Sequence, residues 1–98
     1  MNAPADNLPL LSIVVPAFNE EATLSEIVAR LLAVPQAAEI VIVDDCSTDG
    51  TLAIADRLAA ENPRIKVAHH PVNRGKTEAL KTGFAVLLLI LAAKILID

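Results

Sequence analysis

The chain has 98 residues, a formal net charge of −4 and 54% apolar residues, with neither Trp nor Tyr. That length fits one domain or a part of one, burying about 60–65% of the surface that an unfolded chain exposes. The acidic balance leaves no basic footprint for nucleic acid, and the single cysteine, Cys46, excludes an internal disulfide and suits a reducing cytoplasm.

Residues 1–10 carry neither the basic start nor the apolar stretch of a signal peptide, and are expected to form a flexible lead-in to one domain over residues 11–98. "LLSIVVP", residues 10–16, is a short apolar run rich in β-branched residues and reads as a strand stopped by Pro16. Leu24, Ile27, Val28, Leu31 and Leu32 then fall at helical spacing, with Asn19 as the expected N-cap, Glu20 and Glu21 in the first turn and Pro35 as the stop. "EIVIVDD" is an unbroken apolar run ending in Asp44 and Asp45, as expected of a strand covered on both faces. Ser47, Thr48 and Asp49 offer caps for the helix "TLAIADRLAAEN". "RIKVAHH" reads as a third strand, "PVNRG" as a loop, "KTEALKTGFAVLLLILAA" as a third helix and "KILID" as a fourth strand. The order βαβαβαβ with short connections predicts an α/β, Rossmann-like, three-layer fold with a mostly parallel sheet.

Ligands on such sheets bind beyond the carboxyl ends of the strands. Pro16, the Asp44–Asp45 pair, residues 69–76 and Asp98 are therefore expected along one rim. Neighbouring strand residues point oppositely, so one carboxylate of the pair can face a cleft while the other caps the next turn. The plain alternative is that both only end the strand and cap the helix. A dinucleotide fold is excluded, because Gly50, Gly75 and Gly83 cannot supply a G-x-G-x-x-G turn. "HPVNRGKT" imitates a P-loop, but His70 stands where the first glycine must be. A phosphoacceptor domain would place its acid pair after the first strand, not the second. His69 and His70 lack a third ligand at metal spacing and read as a solvated strand-end pair; Cys46 reads as a small, partly buried filler. The charges of "KTEALK" mark an exposed helix face.

"IVVPAFNEEATLSEIV", "EIVIVDDCSTDGT" and "NRGKTEALKTGF", in this order and spacing, resemble the family 2 glycosyltransferases, most closely the dolichyl- and polyprenyl-phosphate mannosyl- and glucosyltransferase branch. The resemblance runs from Ser12 to about Phe84. It implies a GT-A fold and the nucleotide-binding part of an enzyme that moves a sugar from a UDP- or GDP-linked donor to an acceptor hydroxyl, with polyprenyl phosphate as an acceptor class. It also implies that Pro16, Phe18, Glu20, Val43 and Asp45 line the nucleotide pocket and that Arg74 and Lys76 lie near the diphosphate. Phe18 stands where the family more often has Tyr. A carboxylate only accepts hydrogen bonds, which suits a base N–H or a ribose hydroxyl. The family's Mg²⁺ or Mn²⁺ is held by a D-x-D motif after the fourth strand, which makes Asp98 the expected metal ligand. The second Asp and the acceptor-binding half are absent from these residues, so no catalytic residue is assigned and the chain alone is expected to be inactive.

"VLLLILAA", residues 86–93, departs from the family, where a small polar turn is expected. The apolar run over residues 84–97 is shorter than the roughly 20 residues that span a bilayer and is expected to be a buried core segment. The alternative function is an inactive module that self-associates through residues 86–97, as a homo-oligomer. The expected location is the cytoplasm, with the inner membrane surface as the place of a lipid acceptor.

Overall fold

A computed structural model describes residues 10–97, at Ile97 by its backbone alone. Residues 1–9 and Asp98 lie outside the described residues, and with them the expected lead-in and the expected metal ligand. The elements are β1 (Leu11–Ala17), α1 (Leu24–Leu32), β2 (Ala37–Asp44), α2 (Thr51–Glu61), β3 (Ile65–His69) and α3 (Lys76–Ile97).

The three strands form one parallel sheet in the order β1-β2-β3. Strand β2 is central, and the unbroken apolar run explains why. Ile40 and Ile42 face one side, where they pack with Leu24 and Val28 of α1 and Ala55 of α2. Val41 and Val43 face the other side, against Ala79 of α3. All four β2 residues are fully buried. The two-residue period of a strand thus feeds two cores, and three layers result. Pro16, which cannot donate a ladder hydrogen bond, sits on β1, an edge strand among the described residues.

Two local expectations change. Helix α1 starts at Leu24, not after Asn19, and Thr23 is its N-cap. Asn19 takes a left-handed conformation (φ 53°), because its backbone and side chain bind the loop after β2. The fourth strand is absent among the described residues: 94–97 continue α3. After Gly83 the sequence holds no Gly, Pro or polar turn, and each added helical residue gains a backbone hydrogen bond in a run of good helix formers. Lys94 is held there by Glu39 at 2.7 Å.

Nor is residues 84–97 a buried core segment. Val86, Leu87 and Ile90 are half-buried, whereas Phe84, Leu88, Leu89, Leu91, Ile95 and Leu96 are exposed. The helix is continuous with the packed turns before it. At 22 residues it is about 33 Å long. By length and composition it could cross a membrane, which the apolar run alone could not. Its first half, however, is part of the fold, with Ala79 and Gly83 buried against the sheet.

Candidate functional site

Three loops meet at the carboxyl ends of the strands. The loop after β1 and the loop after β2 brace each other. The Asn19 N–H donates to Ser47 Oγ (2.9 Å), the Glu20 N–H to Thr51 Oγ1 (2.8 Å) and the Thr48 N–H to Asn19 Oδ1 (2.8 Å). The Gly50 N–H donates to Glu21 Oε2 at 2.8 Å. Asp49 accepts from the Thr51 N–H and the Thr51 hydroxyl, and the hydroxyl is the foremost reason why its carboxyl is held below the ordinary value.

The acid pair divides as the strand period predicts. Asp44 is fully buried; its Oδ2 accepts from the Ser47 N–H (3.3 Å) and faces His69 Nδ1 (3.0 Å), and its buried Oδ1 has no partner among the described residues. Asp45 turns to the other side and organises the loop after β3. Its Oδ1 accepts from the Arg74 N–H (2.8 Å) and pairs with His70 Nδ1 (2.9 Å); its Oδ2 accepts from the Gly75 N–H (2.8 Å). The Arg74 N–H first, and the His70 ring second, hold the Asp45 carboxyl below its ordinary value of 3.8. Gly75 adopts φ 90°, a conformation that L side chains rarely take, and this is what presents both N–H groups to one carboxylate.

A cavity of about 380 Å³ opens beside this loop. It is lined by Pro16, Ala17, Phe18, Glu20, Asp45, Lys76 and Ala79. Of the residues expected in the site, Pro16, Phe18, Glu20, Asp45 and Lys76 are therefore brought together. Val43 is not: it is fully buried beneath α3. Arg74 is exposed and outside the lining, and it reaches the site through its backbone N–H. Lys76 begins α3, so its ammonium and the helix N-terminus bring positive charge to the same mouth. Among the described residues no cluster of three or more His, Cys, Asp or Glu could hold a metal ion. The described residues show no metal site of their own, and the expected ligand, Asp98, lies outside them.

His70 corrects an expectation. It is 4% exposed, not solvated, and its Nε2 lies 2.7 Å from Thr82 Oγ1 on α3. His69 is exposed, as expected, and Cys46 is partly buried. The sequence holds only half of the signal for His70, an acid doublet and a histidine doublet at two strand ends; the parallel register, with Asp44 opposite His69, sets them face to face.

The glycosyl transferase family 2 profile matches residues 12–87. The chain is 38% identical over 84 residues to the undecaprenyl-phosphate 4-deoxy-4-formamido-L-arabinose transferase of Shewanella sediminis, covering 80% of this chain and 25% of that protein. It is 38% identical over 73 residues to the polyprenol monophosphomannose synthase of Mycolicibacterium smegmatis, covering 74% and 28%. Among solved structures, the mannosyltransferase PcManGT of Pyrobaculum calidifontis, in complex with GDP-Man and Mn²⁺, superposes with a TM-score of 0.69 at 29% identity, covering 80% of this chain and 24% of that one. The chain thus spans about a quarter to a third of the length of the curated relatives it matches.

Proposed function

The chain belongs to glycosyl transferase family 2, and from that membership we propose that it forms the nucleotide-binding part of an enzyme that takes a sugar from a UDP- or GDP-linked donor to an acceptor of the polyprenyl-phosphate class. The observation that carries the reading is the cavity where Pro16, Phe18, Glu20, Asp45 and Lys76 converge from the three strand ends. The names of the relatives support the acceptor class, and a relative crystallised with GDP-Man supports the donor. The place of work is then the cytoplasmic face of a membrane, where a lipid-linked acceptor meets a soluble donor.

Each lining residue has a physical task. Phe18 offers an exposed apolar ring to the base or ribose. Lys76 and the start of α3 offset the diphosphate charge, with the exposed Arg74 side chain, outside the lining, on the adjoining loop. Asp45 has one Oδ1 filled by two partners and one Oδ2 holding a single partner, so it can accept little more from a nucleotide. Among the described residues the Glu20 carboxylate accepts only the Thr23 hydroxyl, at 3.1 Å, and has more acceptor capacity for a base N–H or ribose hydroxyl. The described residues are thus assigned binding and not turnover. A divalent ion such as the Mn²⁺ of the relative would be held by Asp98, the ligand that the resemblance implies, together with the diphosphate. Titration calorimetry with GDP and UDP tests the reading: heat of binding at up to millimolar nucleotide is expected, and its absence with both overturns it.

One observation favours a second reading, a module that self-associates through α3. The outer face of that helix exposes Phe84, Leu88, Leu91 and Ile95. The two differ in whether a nucleoside diphosphate binds at all, which the calorimetry decides; sedimentation equilibrium reads the self-association.

A further inference from the structure

We propose that His70 is the positioning residue of the candidate nucleotide site: one buried ring fixes the Asp45 carboxylate, and through it the backbone of Arg74 and Gly75, and ties both to α3 at Thr82. The inference rests on the nucleotide reading for its purpose and on the hydrogen bonds alone for its mechanism.

An ionised carboxylate only accepts, so His70 Nδ1 carries a proton and donates it to Asp45 Oδ1 at 2.9 Å. In the neutral ring Nε2 is then the acceptor, and Thr82 Oγ1 donates to it at 2.7 Å. Both nitrogens are thereby satisfied, which a histidine 4% exposed requires. The three structures joined make up one side of the cavity, where Asp45, Lys76 and Ala79 line it; the other side belongs to β1 and the loop after it. Asp45 extends the end of β2, Arg74 and Gly75 form the loop, and Thr82 lies on the helix that begins with Lys76. No other side-chain hydrogen bond among the described residues runs from α3 to the strand ends at this rim. The separation of Lys76 from Asp45, and so the width of the cavity mouth, depends on that ring. Loss of the ring would leave Asp45 to the loop N–H groups alone and α3 to its apolar packing.

The test separates the clamp from the ligand. Long-range ¹H–¹⁵N NMR of the whole chain at pH 8 reads the ring, and amide hydrogen exchange reads Arg74 and Gly75. The Nδ1–H tautomer is expected, with slow exchange at both amides. His70→Asn places an N–H near the position of Nδ1 and is expected to keep the exchange slow. His70→Gln reaches toward Thr82 instead and is expected to speed exchange at Arg74 and Gly75 about tenfold, and to weaken GDP or UDP binding by a similar factor. Should His70→Gln not fold, Thr82→Val takes its place: the loop amides stay slow while the amide resonances at the start of α3 shift. An Nε2–H ring, or wild-type exchange in His70→Gln, or an unmoved α3 in Thr82→Val, overturns the clamp. Failure of the wild-type chain to bind either nucleotide overturns the nucleotide reading and leaves the clamp to be judged by tautomer and exchange.

Discussion

A Cβ added to Gly83 on α3 would stand 2.3 Å from Val14 Cγ1 on β1. Helix and strand meet there at a distance that only glycine permits, and Val14 is β-branched, with little freedom to turn aside. The contact sets how closely α3, and with it Lys76 and Ala79, approaches the sheet. Gly83→Ala is expected to destabilise the fold: overpacking costs about 1–3 kcal/mol, against a gain of up to about 1 kcal/mol in helix propensity. Urea denaturation checks the sign. Val14→Ala added to Gly83→Ala should relieve part of the loss, since the clash needs both side chains; strict additivity would mean that the clash is not its source.

Nucleotide affinity should depend on charge at the cavity mouth. Lys76→Ala is expected to weaken GDP or UDP binding by up to about tenfold, and the wild-type affinity should fall as salt is raised. Glu20→Gln should instead change the preference between the two bases, because it exchanges an acceptor for a donor on the carboxylate with free capacity. Calorimetry with both nucleotides on both variants reads the difference. Equal loss for both nucleotides in Glu20→Gln would place Glu20 on the shared ribose and not on the base, and no loss with either would remove it from both.

The acid limb of stability follows from Asp45 and Asp49. Both carboxyls are held below their ordinary value of 3.8 in the folded chain, Asp45 by the Arg74 N–H and then His70, Asp49 by the Thr51 hydroxyl. A depressed folded value means that the stabilisation is complete above the unfolded value and is lost as pH falls through the folded one. The melting temperature should therefore be insensitive to these groups from neutral pH down to about pH 5, and should fall below about pH 4. Asp45→Asn, which cannot accept from both loop N–H groups with two oxygens, should melt lower at pH 7 and show a shallower acid limb. An acid limb as steep as that of the wild type would mean that Asp45 does not contribute to it.

Much of this was legible in the sequence because it depends on local pattern. The apolar run of β2 announced a strand covered on both faces, and the alternation of Asp44 and Asp45 announced that they would separate. The rim location of Pro16 and Lys76 followed from strand ends and loops, whereas Phe18 and Glu20 came from the family resemblance alone. What the sequence concealed lies in pairings between elements. His70 looked like a solvated strand end until the register of β2 and β3 set it beside Asp45 and the packing of α3 brought Thr82 to its other nitrogen. Asn19 looked like a cap until the loop after β2 held it elsewhere. Residues 94–97 fit a strand by composition and a helix by continuity. With no break after Gly83, continuity prevailed.

The exposed face of α3 leads to the last prediction, a second copy of the chain docked on it. Phe84, Leu88 and Leu91 border a groove with Leu10 and Ser12 beside β1, and each large side chain moved out of water is worth about 1.5–3 kcal/mol. Among the described residues β1 also has one edge without a paired strand, and its N–H and C=O groups need partners that lipid cannot supply. The same helix carries ion pairs, Lys81 with Glu78 at 3.1 Å and Lys94 with Glu39 at 2.7 Å, which would be costly within hydrocarbon. A protein surface with its own strand edge meets all these demands, and a two-fold dimer is the simplest arrangement that presents the same face twice. Sedimentation equilibrium at micromolar concentration should show a dimer or larger species. Leu88→Lys, on a residue 64% exposed, should shift it toward monomer without lowering the helix content. A monomeric wild-type chain that floats with anionic vesicles would instead assign the face to a membrane, and a monomer that binds neither vesicles nor a hydrophobic dye would remove the docking surface altogether.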